Sequence, residues 1–439
     1  MIEKLKALAN LELLRDAREK FNKLYPLSPK LWTDWINDEI SVASTVEEKK
    51  AVKALYERAL LEYYDQTIWL NYIQFCVELH EESIISQEEL KDILDRAISH
   101  NGCNVAAGST FWRAYRMFVV HGLPDDATEE QLKEHVKTTL DLFHRQFSLP
   151  LIGMDEDFKQ FEEWLVQTST NHQIDFAEQH SAREIAAIKA DYEKSLKALV
   201  PLVDFEMALK KGSPKPELAD YLKYLDVEIK NGNLARTKCL FERAITDHCL
   251  ESDLWLKYLK FADLKLVVDK LLLPLYELAV RNCSWVGDIW VQYLLAVEAL
   301  YAENESVNVD EKMVSIRDQA LSSTSSSVED YKKIWFTYIN FLRRQTCRQN
   351  AWSDTVAVAK IRDTLATVIE NLEATQSGAY FCYDLHRFAA NMEAKFCKDI
   401  GKAREIYNRL VSKSSDFKKT VRNFATKNVV KRFTFSLCF

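Results

Sequence analysis

Along this chain, large apolar residues recur three, four and seven positions apart with polar residues between them. That spacing lines one face of an α-helix; a half-buried strand would alternate every second residue. One element recurs: an aromatic, a second aromatic three residues on, then a third position four beyond. It comprises Trp32, Trp35 and Glu39; Trp69, Tyr72 and Cys76; and Trp112, Tyr115 and Val119. It returns as Tyr221, Tyr224 and Glu228; Trp255, Tyr258 and Ala262; Trp290, Tyr293 and Val297; and Trp335, Tyr338 and Leu342. A degenerate copy lies at Phe158, Phe161 and Leu165.

A second element follows each of these. Its clearest form runs Ala235-Arg236 to Phe241-Glu242-Arg243-Ala244-Ile245, with variants at Val52–Leu60, Ile93–Ile98, Leu275–Val280 and Ala403–Leu410. A fragment at Ala17–Leu24 has no first helix before it, so the repeats begin on a second helix. Phe241 and Ala244 share a face, and the small residue there lets a neighbouring helix approach closely. Trp32 and Trp69 lie 37 positions apart, and Trp255 and Trp290 lie 35 apart. Two antiparallel helices with their turns need about 34 residues. Wider gaps, 43 from Trp69 to Trp112 and 45 from Trp290 to Trp335, predict longer loops at Gly102–Ser109 and Ser322–Ser327. The predicted fold is therefore all-α: a right-handed superhelical solenoid of antiparallel helix pairs. Its aromatic stripes are predicted to form the core between helices.

Composition supports this reading. Nine glycines and eight prolines in 439 residues fall far below their usual combined share of about 12%, as expected of helices joined by short turns. The strongest Gly/Pro cluster, Lys210–Pro216, follows a predicted long helix over Ile185–Leu209 and an irregular polar stretch at Gln167–His180. The expected division is a repeat half over 1–184, a helix and linker over 185–216, and a second repeat half over 217–413. A divergent basic tail, expected to be poorly ordered, fills 414–439. In that tail Lys418, Lys419, Arg422, Lys427, Lys431 and Arg432 interleave with four phenylalanines.

The net charge of −8, with 66 acidic against 58 basic residues, fits protein partners better than phosphate backbones. Nine scattered cysteines include no CxxC pair, and the nine histidines show no metal-ligand spacing, so reduced cysteines inside a cell are expected and no metal site. Met1–Asn10 is a lysine-bearing amphipathic stretch, unlike a secretory leader. The chain contains no phosphate-binding glycine loop and no nucleophile elbow. The acidic runs Asp155-Glu156-Asp157 and Glu162-Glu163 are expected on solvated faces. Neither catalysis nor a cofactor is expected.

The aromatic stripe followed by Ala-Arg and Tyr/Phe-Glu-Arg-Ala resembles the half-a-tetratricopeptide (HAT) repeat family over about Ala17–Leu410, in nine or ten copies. Known members are scaffolds of RNA processing, in splicing, 3′-end cleavage and ribosomal-RNA maturation. Three longer stretches, Phe21–Ile40, Arg145–Phe158 and Ala279–Trp285, resemble the splicing members that recycle U4/U6 particles. The resemblance implies a nuclear protein that binds snRNP proteins and ubiquitin-specific proteases and dimerises through its C-terminal half. RNA-recognition motifs, which hold the RNA in those members, have no counterpart in this sequence, so RNA contact is expected to be indirect or weak. The alternatives are a scaffold of 3′-end cleavage and a solenoid that binds RNA itself.

Overall fold

The computed structural model describes residues 11–121, 128–172, 179–212, 215–265, 269–301, 308–324, 327–349, 351–352, 355–375 and 383–413. The basic tail lies outside them. Among the described residues there are nineteen α-helices and no strand. The first described helix, α1 (Leu11–Leu24), is followed by eighteen helices, taken below two at a time in chain order. The first four are α2 (Pro29–Ile40) with α3 (Val46–Ala59), α4 (Gln66–Glu81) with α5 (Gln87–Asn101), α6 (Gly108–His121) with α7 (Glu129–Phe147), and α8 (Met154–His172) with α9 (Gln179–Lys211). Next come α10 (Leu218–Asn231) with α11 (Leu234–Asp247), and then α12 (Ser252–Lys265) and α13 (Asp269–Asn282), taken together by chain order alone. The last three are α14 (Gly287–Tyr301) with α15 (Val309–Ser323), α16 (Val328–Arg348) with α17 (Thr355–Thr375), and α18 (Tyr383–Lys395) with α19 (Ile400–Lys413). The first helix of each pair is called A below and the second B; α1 carries the B motif.

Local chemistry sets these boundaries. Pro29 opens α2 at a position where its missing N–H has no intrahelical role. Thr45 and Glu48 close a capping box at the start of α3, and Thr128 and Gln131 do the same for α7. Ser86, Asn233, Asn308 and Ser327 each cap a helix through their side chains. Such a cap stabilises a helix by about 1 kcal/mol. Gly232 ends α10 at φ 76°, a left-handed conformation that glycine adopts without strain, and Asn233 starts α11 directly.

Several expected loops are shorter than their sequences suggest. The helix α6 begins at Gly108, inside the loop predicted at Gly102–Ser109, and Ser322 and Ser323 close α15. Of the polar stretch Gln167–His180, residues up to His172 continue α8 and those from Gln179 belong to α9. Helix turns that face solvent need no apolar residues, so polarity alone did not mark a break.

The chain divides into two compact units, 1–268 and 269–439. The first contains α1–α12 and the second α13–α19. The linker expected at 185–216 falls inside the first unit. There Arg243 of α11 holds Glu206 of α9 by two hydrogen bonds of 2.8 Å. Each unit builds its own core. In the first, Trp32, Trp35, Tyr56, Trp69, Tyr72, Leu90, Ile93 and Trp112 belong to one buried cluster. In the second, Trp290, Leu294, Val297, Ile334, Ile339, Val368 and Leu385 are buried. The second unit also shows why Gly287 is glycine: a Cβ there would lie 2.5 Å from the side chain of Asp330.

Candidate functional site

In a repeat protein the functional surface is whatever the repeat interior leaves outside, so the site begins with that interior. Fifteen of the sixteen residues predicted for repeat packing are buried: Trp32, Trp35, Trp69, Tyr72, Trp112, Tyr115, Tyr221, Tyr224, Phe241, Ala244, Trp255, Tyr258, Trp290, Tyr293 and Tyr338. Trp335 is only half-buried, and its indole nitrogen has no partner. The B-helix aromatic of one repeat stacks on the second A-helix aromatic of the next. Ring centroids are 5.2 Å apart for Tyr56 and Tyr72, 4.8 Å for Phe241 and Tyr258, and 5.6 Å for Tyr276 and Tyr293. Each such pair contributes about 0.5–1.5 kcal/mol beyond its buried area. The first aromatic fixes the preceding turn: Trp255 donates to the Cys249 carbonyl at 2.7 Å and Trp290 to the Ser284 carbonyl at 2.8 Å.

The Glu-Arg dipeptide between those B-helix positions has a role that the sequence pattern did not reveal. The acid accepts the hydroxyl of a tyrosine on the next A helix. Tyr72 donates to Glu57, Tyr115 to Asp95 at 2.9 Å, Tyr258 to Glu242 at 3.4 Å and Tyr293 to Glu277 at 3.2 Å. The arginine reaches back to an acid on the preceding B helix. Arg58 holds Glu19, Arg96 holds Glu57 and Arg243 holds Glu206, each through two bonds. Glu57 thus joins three helices. Burial pushes its carboxyl up, but the bonds from Arg96 and Tyr72 hold it below the ordinary value. The linked residues lie 37 to 39 positions apart, about one repeat, and that recurrence was the available signal.

A further repeat unit lies at the end of α9. Phe205-Glu206-Met207-Ala208 matches the B-helix motif; Phe205 stacks on Tyr224 at 5.0 Å, and Glu206 is the acid that Arg243 holds. The A helices carry a second row of acids near their C-terminal ends. Glu39 is held by Arg15, Glu298 by Arg344 and Glu393 by Arg362, each through both carboxylate oxygens. Glu228 takes only Arg236 at 2.7 Å, which leaves its other oxygen buried and unpaired.

Two expectations need correction. Asp157, expected on a solvated face, is 0% exposed. It binds Arg113 at 2.5 Å, Arg116 at 3.0 Å and Gln146 at 2.8 Å, forming a polar hub between α6, α7 and α8. A carboxylate with this many charged and polar donors can afford burial. In α15 the motif reads Arg317-Asp318-Gln319-Ala320, so an arginine stands in the aromatic's place. Its guanidinium lies over Trp335 at 4.7 Å and Tyr338 at 4.4 Å, replacing the ring stack with a cation–π contact.

Within the first unit α11 also touches elements far back in the chain. Arg243 donates to Asn104 at 3.4 Å, and the Thr246 hydroxyl to the Tyr64 carbonyl at 2.9 Å. The potential nucleophiles here are poorly reactive, because burial pushes the thiols of Cys76 and Cys239 up to about 12. Among the described residues, no group of three or more His, Cys, Asp or Glu could hold a metal ion. None of the described helices is long and apolar enough to cross a membrane.

Aromatic stripes recurring along the chain and a repeated acid-arginine tie define a helical repeat scaffold protein. The chain belongs to the HAT repeat family: the PRP39 N-terminal HAT repeat model matches residues 1–163, and the PRP39 C-terminal HAT repeat model matches 209–272. It is 30% identical over 423 residues to spliceosome associated factor 3, U4/U6 recycling protein, of Mus musculus. That match covers 94% of this chain, which spans 40% of the mouse protein. Cleavage stimulation factor subunit 77 of Arabidopsis thaliana is 25% identical over 158 residues, covering 36% of this chain and 20% of its own. Among solved structures, the crystal structure of CSTF-77 aligns with 92% of this chain and 89% of its own, at 10% identity and a TM-score of 0.44.

Proposed function

We propose that this chain is a non-catalytic nuclear scaffold of pre-mRNA splicing. In this reading it binds snRNP proteins during U4/U6 reassembly, docks ubiquitin-specific proteases, and self-associates through its C-terminal half. The observation that carries the reading is the similarity to a U4/U6 recycling protein along 94% of the chain. The repeat interior supports protein partners over RNA. Single-stranded RNA is gripped by stacking bases on accessible aromatic rings, and fourteen of the fifteen aromatics predicted for repeat packing are buried. Repeat stacks recognise partners through many modest contacts with a few anchors among them, and exposed Trp285 and Leu61 are of the type that serves as anchors.

The test is affinity capture from nuclear extract with the full chain, scoring proteins and small RNAs together. Recovery of U4/U6 particle proteins or ubiquitin-specific proteases that survives nuclease treatment is expected. Recovery of naked RNA alone overturns the scaffold reading. Recovery of cleavage and polyadenylation factors favours the second reading, a scaffold of mRNA 3′-end processing, to which the Arabidopsis similarity points.

A further inference from the structure

A solvent-open cavity of about 290 Å³ lies in the first unit, between the turns preceding α4 and α6, the end of α9, and the end of α11. Pockets for small molecules run from roughly 300 to 1,000 Å³, so this one suits a single side chain better than a cofactor. Its lining is polar and of mixed charge, and the charges do not all cancel. Arg243 and Glu206 neutralise each other through two bonds of 2.8 Å. Asp65 spends one carboxylate oxygen on the Ile68 amide at 2.8 Å, and Asp247 spends one on the Tyr221 hydroxyl at 2.6 Å. The second oxygen of each has no partner among the described residues.

Two further observations fix the sign of the ligand. Thr246 and Asp247 are the last residues of α11, so the cavity lies at a helix C-terminus, where the peptide dipoles favour a cation. This chain already places one there: the Lys215 ammonium donates to the Asp247 main-chain carbonyl at 2.8 Å. Tyr64 and Tyr221 also line the cavity. Lys210, at the rim, is exposed.

We infer that this cavity is a recognition pocket for a basic side chain, an arginine or lysine presented by a partner protein, held by Asp65 and Asp247. The inference goes beyond the splicing reading and stands on the cavity whatever machine the chain serves.

N-acetyl-arginine amide, titrated into the full chain with its threonine methyls labelled, tests the pocket through the Thr246 resonance. A saturable shift is expected at millimolar concentrations and low salt, weakening as salt screens the contact. N-acetyl-lysine amide should bind the same site, and N-acetyl-glutamate amide should not. Asp65→Asn and Asp247→Asn keep the acceptors that cap α4 and receive Tyr221. Each should weaken binding about fivefold, with the thermal midpoint unchanged. Lys210→Glu, an exposed change, should strengthen it by a similar factor. No saturable shift at tens of millimolar, preference for the glutamate amide, or indifference to all three substitutions overturns the proposal.

Discussion

At the scale of single residues, the energy of this fold is concentrated in large side chains with one polar atom each. Trp255 is 0% exposed, and its indole N–H closes the turn before α12. Replacing it by alanine removes the buried surface and opens a cavity, at a cost of about 3–5 kcal/mol. Urea denaturation of Trp255→Ala should show that loss; a midpoint equal to the parent's would place the tryptophan outside the core. The stripe itself was legible in the sequence because burial demands helical spacing. What the polar residues between the aromatics touch was not. Asp157 and Glu163 stand close together in one acidic helix, yet Asp157 is buried among arginines and Glu163 is exposed. Sequence spacing gives a residue its side of the helix, but the neighbour on that side comes from another repeat.

At the scale of elements, helices were easier to foresee than their partners. The stripes anticipated α2, α4 and α6, while the B motif ending α9 went unread, because Met207 replaces the arginine and a Gly/Pro cluster follows. Its importance lies in Glu206, which is 1% exposed and tied to Arg243. Breaking one side of a buried pair strands the other charge, so Arg243→Ala should cost about 3–5 kcal/mol. Replacing both partners by leucine should restore much of that stability, since a packed apolar pair avoids the desolvation cost. A thermal-shift comparison of the two variants decides this: a double variant as unstable as the single one would mean the pair contributes through geometry that leucine cannot imitate.

At the scale of the whole molecule, these ties make stability depend on acidity. Hydrogen bonds from Arg58 and Arg15 hold Glu19 and Glu39 below the ordinary 4.5, and main-chain amides of Ser44 and Thr45 lower Glu48 to about 2. Glu57 is lowered as well. Carboxyls whose folded values lie below their unfolded ones contribute stability that is full above pH 4.5 and is lost as pH falls toward about 2. The thermal midpoint should therefore drop steadily below pH 4.5. Glu57→Gln should be less stable at pH 7 but flatter along the acid limb, and an unchanged slope would remove Glu57 from the account.

The four consecutive residues Phe241-Glu242-Arg243-Ala244 face four directions: Phe241 toward Tyr258, Glu242 toward its hydroxyl, Arg243 back to Glu206, and Ala244 into the core. They fill just over one helical turn, so a single inserted residue would rotate everything beyond it by about 100° and misdirect several links together. A residue added in a turn rotates nothing within a helix. The molecule is therefore tolerant of length in its turns and intolerant of it in these short words, so its history of insertion and deletion should be written almost wholly between the helices.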